Sequence, residues 1–246
     1  MWWSEADRIA LPIALAIIIV ITLIVWLLMR NRSEKAKSVI MQIIAGIIVV
    51  LEIIKQIVNI VNGYDTWIIP FHFCSLFIFL FPLSQFVSAK IRGIFNPVAF
   101  ICALSMTVLF YVQPQGILGS SSEKMFQSFN DFHSFYFHHL VVLYTMLSVV
   151  LNNYIPKKND WKKLLITIAI YSVIGIIMAH VLDTNYNNFL TTEIPLLREV
   201  KGVFGVVVHS INMGLVITVG TTLLTIGYYW IYFAIKNCRD RKRSLD

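Results

Sequence analysis

The side chains most able to do chemistry in this 246-residue chain are six histidines and a cysteine set between apolar runs. His72 and Cys74 share the segment Pro70, Phe71, His72, Phe73, Cys74, Ser75. His133, His138 and His139 open a later run, His180 precedes Asp183, Asn185 and Tyr186, and His209 lies further on. A thiol with an imidazole is a combination for nucleophilic catalysis: the imidazole takes the proton and the thiolate attacks a carbonyl carbon. Helical residues two apart diverge, so a base for Cys74 must come from another helix, and His138 is the natural candidate. His138 and His139 point about 100° apart on a helix, so at most one faces a shared centre. A lone His133 or His180 reads as an interfacial residue bonded to a carbonyl or headgroup. The same residues permit a metal site built from His72, His138 or His139, His180 and His209, with Asp183 or Cys74. No tight ligand spacing such as His-x-x-x-His supports it. Glu52 and Lys55, three apart, either neutralise one another within a packed helix or contact a substrate. With the histidines they could also line the cavity of a small-solute transporter or receptor. Cys102 reads as a packing residue, and Cys238 stands among basic residues with no visible partner.

Composition supplies the elements that must position these groups. Hydrophobic residues make up 58% of the chain and charged ones 13%, against roughly 25% charged in soluble domains. The surface is therefore matched to lipid. Runs at 10–29, 39–61, 67–88, 93–112, 132–154, 161–182 and 203–235 each approach the roughly 20 residues that a helix needs to cross the hydrocarbon. They are too long and too uniformly apolar for barrel strands. The expectation is an all-α polytopic membrane protein of seven transmembrane helices, a single domain over 1–246 with a basic tail at 236–246. The acidic start, with Glu5 and Asp7, does not resemble a cleavable signal peptide, so the first span is expected to remain.

Charge sets the orientation. Of the 20 basic residues, 15 fall in the first, third and fifth loops and the tail, whereas Glu5, Asp7, Asp65, Glu123, Asp131, Asp183, Glu193 and Glu199 occupy the other side. Basic loops stay cytoplasmic, which predicts the N-terminus outside and the C-terminus inside, in a cell (plasma) membrane. The net charge of +7 thus reports topology, and nucleic acid is not an expected partner. On this topology all six histidines lie in the outer half, with His72 and Cys74 roughly 5–12 Å below the outer end of a continuous third helix. Residues from several helices meeting in one layer are what a bundle site looks like. A retinal-type site is disfavoured, because the last span has no embedded lysine for a Schiff base.

The Pro-x-His-x-Cys pattern at 70–74 resembles that of the YwaF-like bacterial membrane proteins, which are similar to the animal transmembrane protein 164 family. Gln113 and Pro114 after the fourth span, His138 before Leu140, Val141 and Val142, and Asn185 and Tyr186 after the sixth follow in family order, so that the likeness covers roughly 45–195. Two positions depart from the pattern. Gln113, Pro114 and Gln115 stand where many relatives have Thr-Pro-Asp, removing a carboxylate from the outer rim, and His139 replaces a small residue. The resemblance implies a phospholipid acyltransferase with Cys74 as nucleophile and acyl carrier and His138 as its base. His72, Asn185 and Tyr186 would orient the base or bind the oxyanion or headgroup, and Lys55, Glu52, His139 and His209 would complete the substrate contacts. This chemistry needs no cofactor, has membrane phospholipids as partners, and implies no particular oligomeric state.

Overall fold

The computed structural model describes residues 3–192 and 195–243, without the side chains of Pro195 and of 239–243. Met1, Trp2, Glu193, Ile194 and the last three residues of the basic tail lie outside the described residues. Among the described residues there is no strand. A first unit, Met1–Tyr154, holds helices α1 (Glu5–Met29), α2 (Glu34–Asn62), α3 (Leu76–Gln85), α4 (Ala89–Val112), the short α5 (Gln115–Leu118) and α6 (Ser121–Lys124), and α7 (Phe129–Val150). A second, Ile155–Asp246, holds α8 (Asp160–Val181) and α9 (Pro195–Arg243).

Local sequence explains most boundaries. Ser4, Ser33 and Ser128 each cap a helix by accepting from the backbone N–H three residues on, and Asp7 returns the bond to Ser4 as a capping box. Gly205 interrupts α9 with φ 81° and ψ 175°, a conformation only glycine adopts at little cost. α8 receives the Phe189 ring against Gly175, where an added Cβ would stand 2.7 Å from the ring. α4 runs unbroken from Ala89 through Pro97. The amide of Asn96 donates to the Asn153 carbonyl there at 2.7 Å.

Among the described residues, five helices are long and apolar enough to cross a membrane: α1, α2, α4, α8 and residues Leu196–Cys238 of α9. The chain is thus an all-helical membrane protein. The expected continuous span at 67–88 is corrected. Its helix is only the ten residues of α3, preceded by 3-10 turns at Thr66–Ile68 and Phe73–Ser75. Pro70 is the cause: it lacks an N–H and forces Ile69 into extended backbone, φ −59° and ψ 134°. His72 and Cys74 therefore sit in irregular chain, and the depth derived from helical rise does not apply to them.

In the first unit, α7 packs on α1, α2 and α4, while α3 packs on α2 and α4. α7 is buried on most of its faces, through Phe135, Phe137, Val141, Val142, Tyr144 and Leu147, as expected for a helix at the centre of a bundle. α1 instead leaves Ile9, Ile13, Ile17, Val20 and Leu28 exposed. Lipid is as apolar as these side chains, so cohesion must come from close packing and hydrogen bonds between helices. The Phe81 and Tyr144 rings stack at 3.7 Å, and the Tyr144 hydroxyl meets Ser84 Oγ and Gln85 Nε2 at 2.9 Å each. Asn59 of α2 and Asn130 of α7 exchange two side-chain hydrogen bonds, both 2.8 Å. Asn59→Ala and Asn130→Ala should each lower the thermal unfolding midpoint in detergent. The double variant should lose little more than either single one, with a coupling of about 1 kcal/mol.

Candidate functional site

Glu52, Lys55, Gln56 and Asn59 occupy positions 0, 3, 4 and 7 of one stripe of α2, so their side chains share a face. Glu52 is buried. Its carboxylate accepts from Lys55 Nζ at 3.1 and 3.3 Å and from Gln56 Nε2 at 2.6 Å, and His133 Nε2 of α7 stands 3.1 Å from its second oxygen. A buried carboxylate without such partners would carry a large desolvation cost. Gln56 also donates to the Ile68 carbonyl at 3.1 Å and accepts from the Tyr64 hydroxyl at 2.5 Å. This ties the irregular 63–75 segment to the same stripe.

That segment carries the motif. His72 Nε2 faces the Trp67 carbonyl at 3.1 Å, and its ring meets the Trp67 indole edge-on at 4.3 Å. His72 thereby braces its own loop. Cys74, half-buried and not in a disulfide, opens onto α3. The Lys55 ammonium lies within electrostatic reach of His72, Cys74, His133 and His138. The ammonium contacts the Glu52 carboxylate directly and acts on the thiol and the three imidazoles through its charge at longer range.

On α7, His138 Nδ1 donates to the Ser134 carbonyl at 2.6 Å and His139 Nδ1 to the Phe135 carbonyl at 2.7 Å. A carbonyl only accepts, so in each neutral ring the lone pair lies on Nε2. Both Nε2 atoms are buried and make no hydrogen bond. His138 stacks on Phe110 at 5.7 Å, and His139 meets the same ring edge-on at 5.0 Å.

The remaining expected residues belong to the second unit. Asn185 spends its amide on its own loop, accepting from the Leu190 and Thr191 N–H groups at 2.9 and 3.0 Å and donating to the Thr191 carbonyl at 3.1 Å. Tyr186 is fully buried. His209 places Nδ1 and Nε2 each 3.1 Å from the Leu197 and Asn188 carbonyls, and His180 Nε2 meets Ser210 Oγ at 3.0 Å. These polar atoms organise the chain between α8 and α9. Among the described residues no group of three or more His, Cys, Asp or Glu side chains is arranged to hold a metal. His133 is the site residue that sequence reasoning passed over. The polar stripe on α2, which requires a polar partner, was the signal for it.

A buried carboxylate–ammonium–imidazole network beside a half-buried thiol, within a helical membrane protein, defines the class. The chain matches the model of the TMEM164 family over residues 2–235 and belongs to that family. Comparison with curated proteins and with solved structures gives no match.

If Lys55 neutralises Glu52, removing the cation alone should cost more than removing both charges. Lys55→Met should destabilise the protein by about 3 kcal/mol. Lys55→Met with Glu52→Gln should recover part of that loss in chemical unfolding of the detergent-solubilised protein.

Proposed function

We propose that this protein is a membrane-embedded phospholipid acyltransferase that carries the acyl group on Cys74. The observation that supports this reading best is the buried, unpartnered Nε2 of His138, in the unit that also holds the half-buried Cys74. The thiol attacks the donor's ester carbonyl, His138 Nε2 takes the thiol proton, and the alkoxide of the departing lysolipid receives it. The thioester on Cys74 then passes to an acceptor. His72 holds the motif loop through Trp67. Lys55 and Glu52, with His139, form the polar surroundings of the lipid. Membership of the family supports the activity, and the finer likeness is to the YwaF-like bacterial branch. No cofactor enters, and the partners are membrane phospholipids.

The reading includes seven spans in a plasma membrane, with the N-terminus outside and the site toward the extracytoplasmic side. Segment 66–85 and α7 are then the third and fifth spans. Irregular backbone at membrane depth is tolerated where it is enclosed by protein or lines a cavity. A broken third span carrying His72 and Cys74 fits a reaction chamber better than a lipid-facing helix.

Two measurements test this. In liposomes with a fluorescent phosphatidylcholine, the wild-type chain should form an acyl-enzyme and Cys74→Ser should form none while keeping its gel-filtration profile. His138→Gln should slow acylation by about 10²–10⁴-fold. Unchanged acylation of Cys74→Ser sinks the mechanism. For topology, Ser4→Cys should react with an impermeant maleimide in intact cells, and native Cys238 only after the membrane is opened. The reverse pattern overturns the orientation.

A further inference from the structure

Cys74 stands at the mouth of α3, and the two faces of that helix differ. Burial along α3 is confined to Phe77, Leu80, Phe81, Ser84 and Gln85. This buried face carries a column of rings. Phe73 meets Phe77 edge-on at 6.4 Å, Phe77 lies 5.1 Å from Phe81, and Phe81 stacks on Tyr144 of α7 at 3.7 Å. Phe77, Phe81 and Tyr144 are fully buried. The column is fastened at its far end, where the Tyr144 hydroxyl meets Ser84 Oγ and Gln85 Nε2 at 2.9 Å each. The opposite face is open. Phe79 and Phe86, seven residues apart on one stripe, are 52% and 57% exposed, with Pro82 and Leu83 half-buried between them.

An acyl chain joined to Cys74 has these two faces to follow. To descend along the buried one it must part the stacked rings and draw the Tyr144 hydroxyl away from Ser84 and Gln85. Overfilling a packed core is destabilising, and a buried polar group stripped of its partner costs more than its bond was worth. No gain offsets this, because the chain leaves a lipid environment as apolar as the core it would enter. Along the open face the chain stays in that environment and displaces only other acyl chains.

We infer that the acyl chain carried on Cys74 runs along the Phe79–Leu83–Phe86 face of α3 and remains in the bilayer, barred from the bundle interior by Phe77, Phe81 and Tyr144. This rests on the acyl-carrier role proposed for Cys74. The substrate class that follows is the long-chain esters of bilayer lipids, taken without a measure of chain length. A pocket that enclosed the chain would discriminate by about tenfold or more for one methylene. The open face of α3 has no floor for a methylene to meet.

Competition among donors tests this. The full-length protein is placed in liposomes of a diether phospholipid, which has no ester to donate. An equimolar mixture of phosphatidylcholines with dodecanoyl, tetradecanoyl, hexadecanoyl and octadecanoyl chains is added. Mass spectrometry of the Cys74 peptide then counts the thioesters formed. All four should appear within about threefold of one another, against the tenfold per methylene of an enclosed pocket. A wider spread, or a cut-off at one length, overturns the path and leaves the acyl carrier standing. A Cys74 that takes none of the four removes the acyl carrier and the path with it. Location is read separately, without catalysis. In Cys238→Ser, a methanethiosulfonate bearing a dodecyl chain with a terminal nitroxide forms a disulfide with Cys74 and releases methanesulfinate. Oxygen dissolved in the bilayer should relax this nitroxide as strongly as that of a free spin-labelled lipid. A nitroxide shielded from oxygen overturns the path, as does a Cys74 that the reagent cannot reach.

Discussion

A carboxylate carried into a helix bundle that lipid surrounds has no water to hydrate it, so every lone pair must be met from within the protein. Glu52 imposes this constraint on the first unit, and much of the local geometry follows from meeting it. Lys55 supplies charge from the same helix, Gln56 supplies an N–H one turn on, and His133 closes the far side from α7. Gln56 then reaches the Ile68 carbonyl and Tyr64, so the segment that carries His72 and Cys74 is anchored to an amide that also bonds the acid. Asn59 continues the stripe and locks α2 to α7 through Asn130. One buried charge thus sets the register of two helices and the seat of a loop.

The backbone obeys the same rule as the side chains. Pro70 removes a donor and stops a helix that hydrophobicity alone would have carried across the bilayer. The freed groups find partners locally: the Phe71 N–H meets the Ile69 carbonyl at 2.7 Å and the Ser75 N–H meets the His72 carbonyl at 2.9 Å. Ten residues of α3 rise only about 15 Å, half the hydrocarbon thickness. The chain between Pro70 and Ser75 therefore carries its thiol and imidazole in irregular backbone, free of the roughly 100° step that a continuous helix would impose between neighbours.

These features differ in how plainly they are written in the sequence. Apolar length is dictated by the bilayer, so α1, α2, α4, α8 and most of α9 were legible as runs of residues, and serine caps marked several starts. The third segment was not, because a proline inside a long apolar run is compatible with a kinked helix as well as with a broken one. Glu52 and Lys55 were legible as a pair. His133 was not, since a single histidine carries no sign of its partner on another helix. The stripe at Glu52, Lys55, Gln56 and Asn59 held that information only as a demand for something polar opposite. Asn185 and His209 looked like site residues because their types suit ligands, but they bond backbone carbonyls and N–H groups. Backbone partners leave no trace in residue identity, so composition could not separate a loop-forming amide from a substrate-binding one.

The two adjacent histidines of α7 sharpen the distinction between a scaffold and a site. His138 and His139 make the same local bond, each to the carbonyl four residues back, and each buries Nε2 without a partner. Leaving a buried acceptor unmet costs about 1–3 kcal/mol. Buried polar groups in folded proteins are met in the large majority of cases, and exceptions gather where function demands them. Local bonding does not separate the two rings, but their surroundings do. His138 lies within electrostatic reach of Lys55 and His133, whereas His139 packs among Phe110 and Phe135. The unmet lone pair of His138 is thus the one that long-range charge acts on.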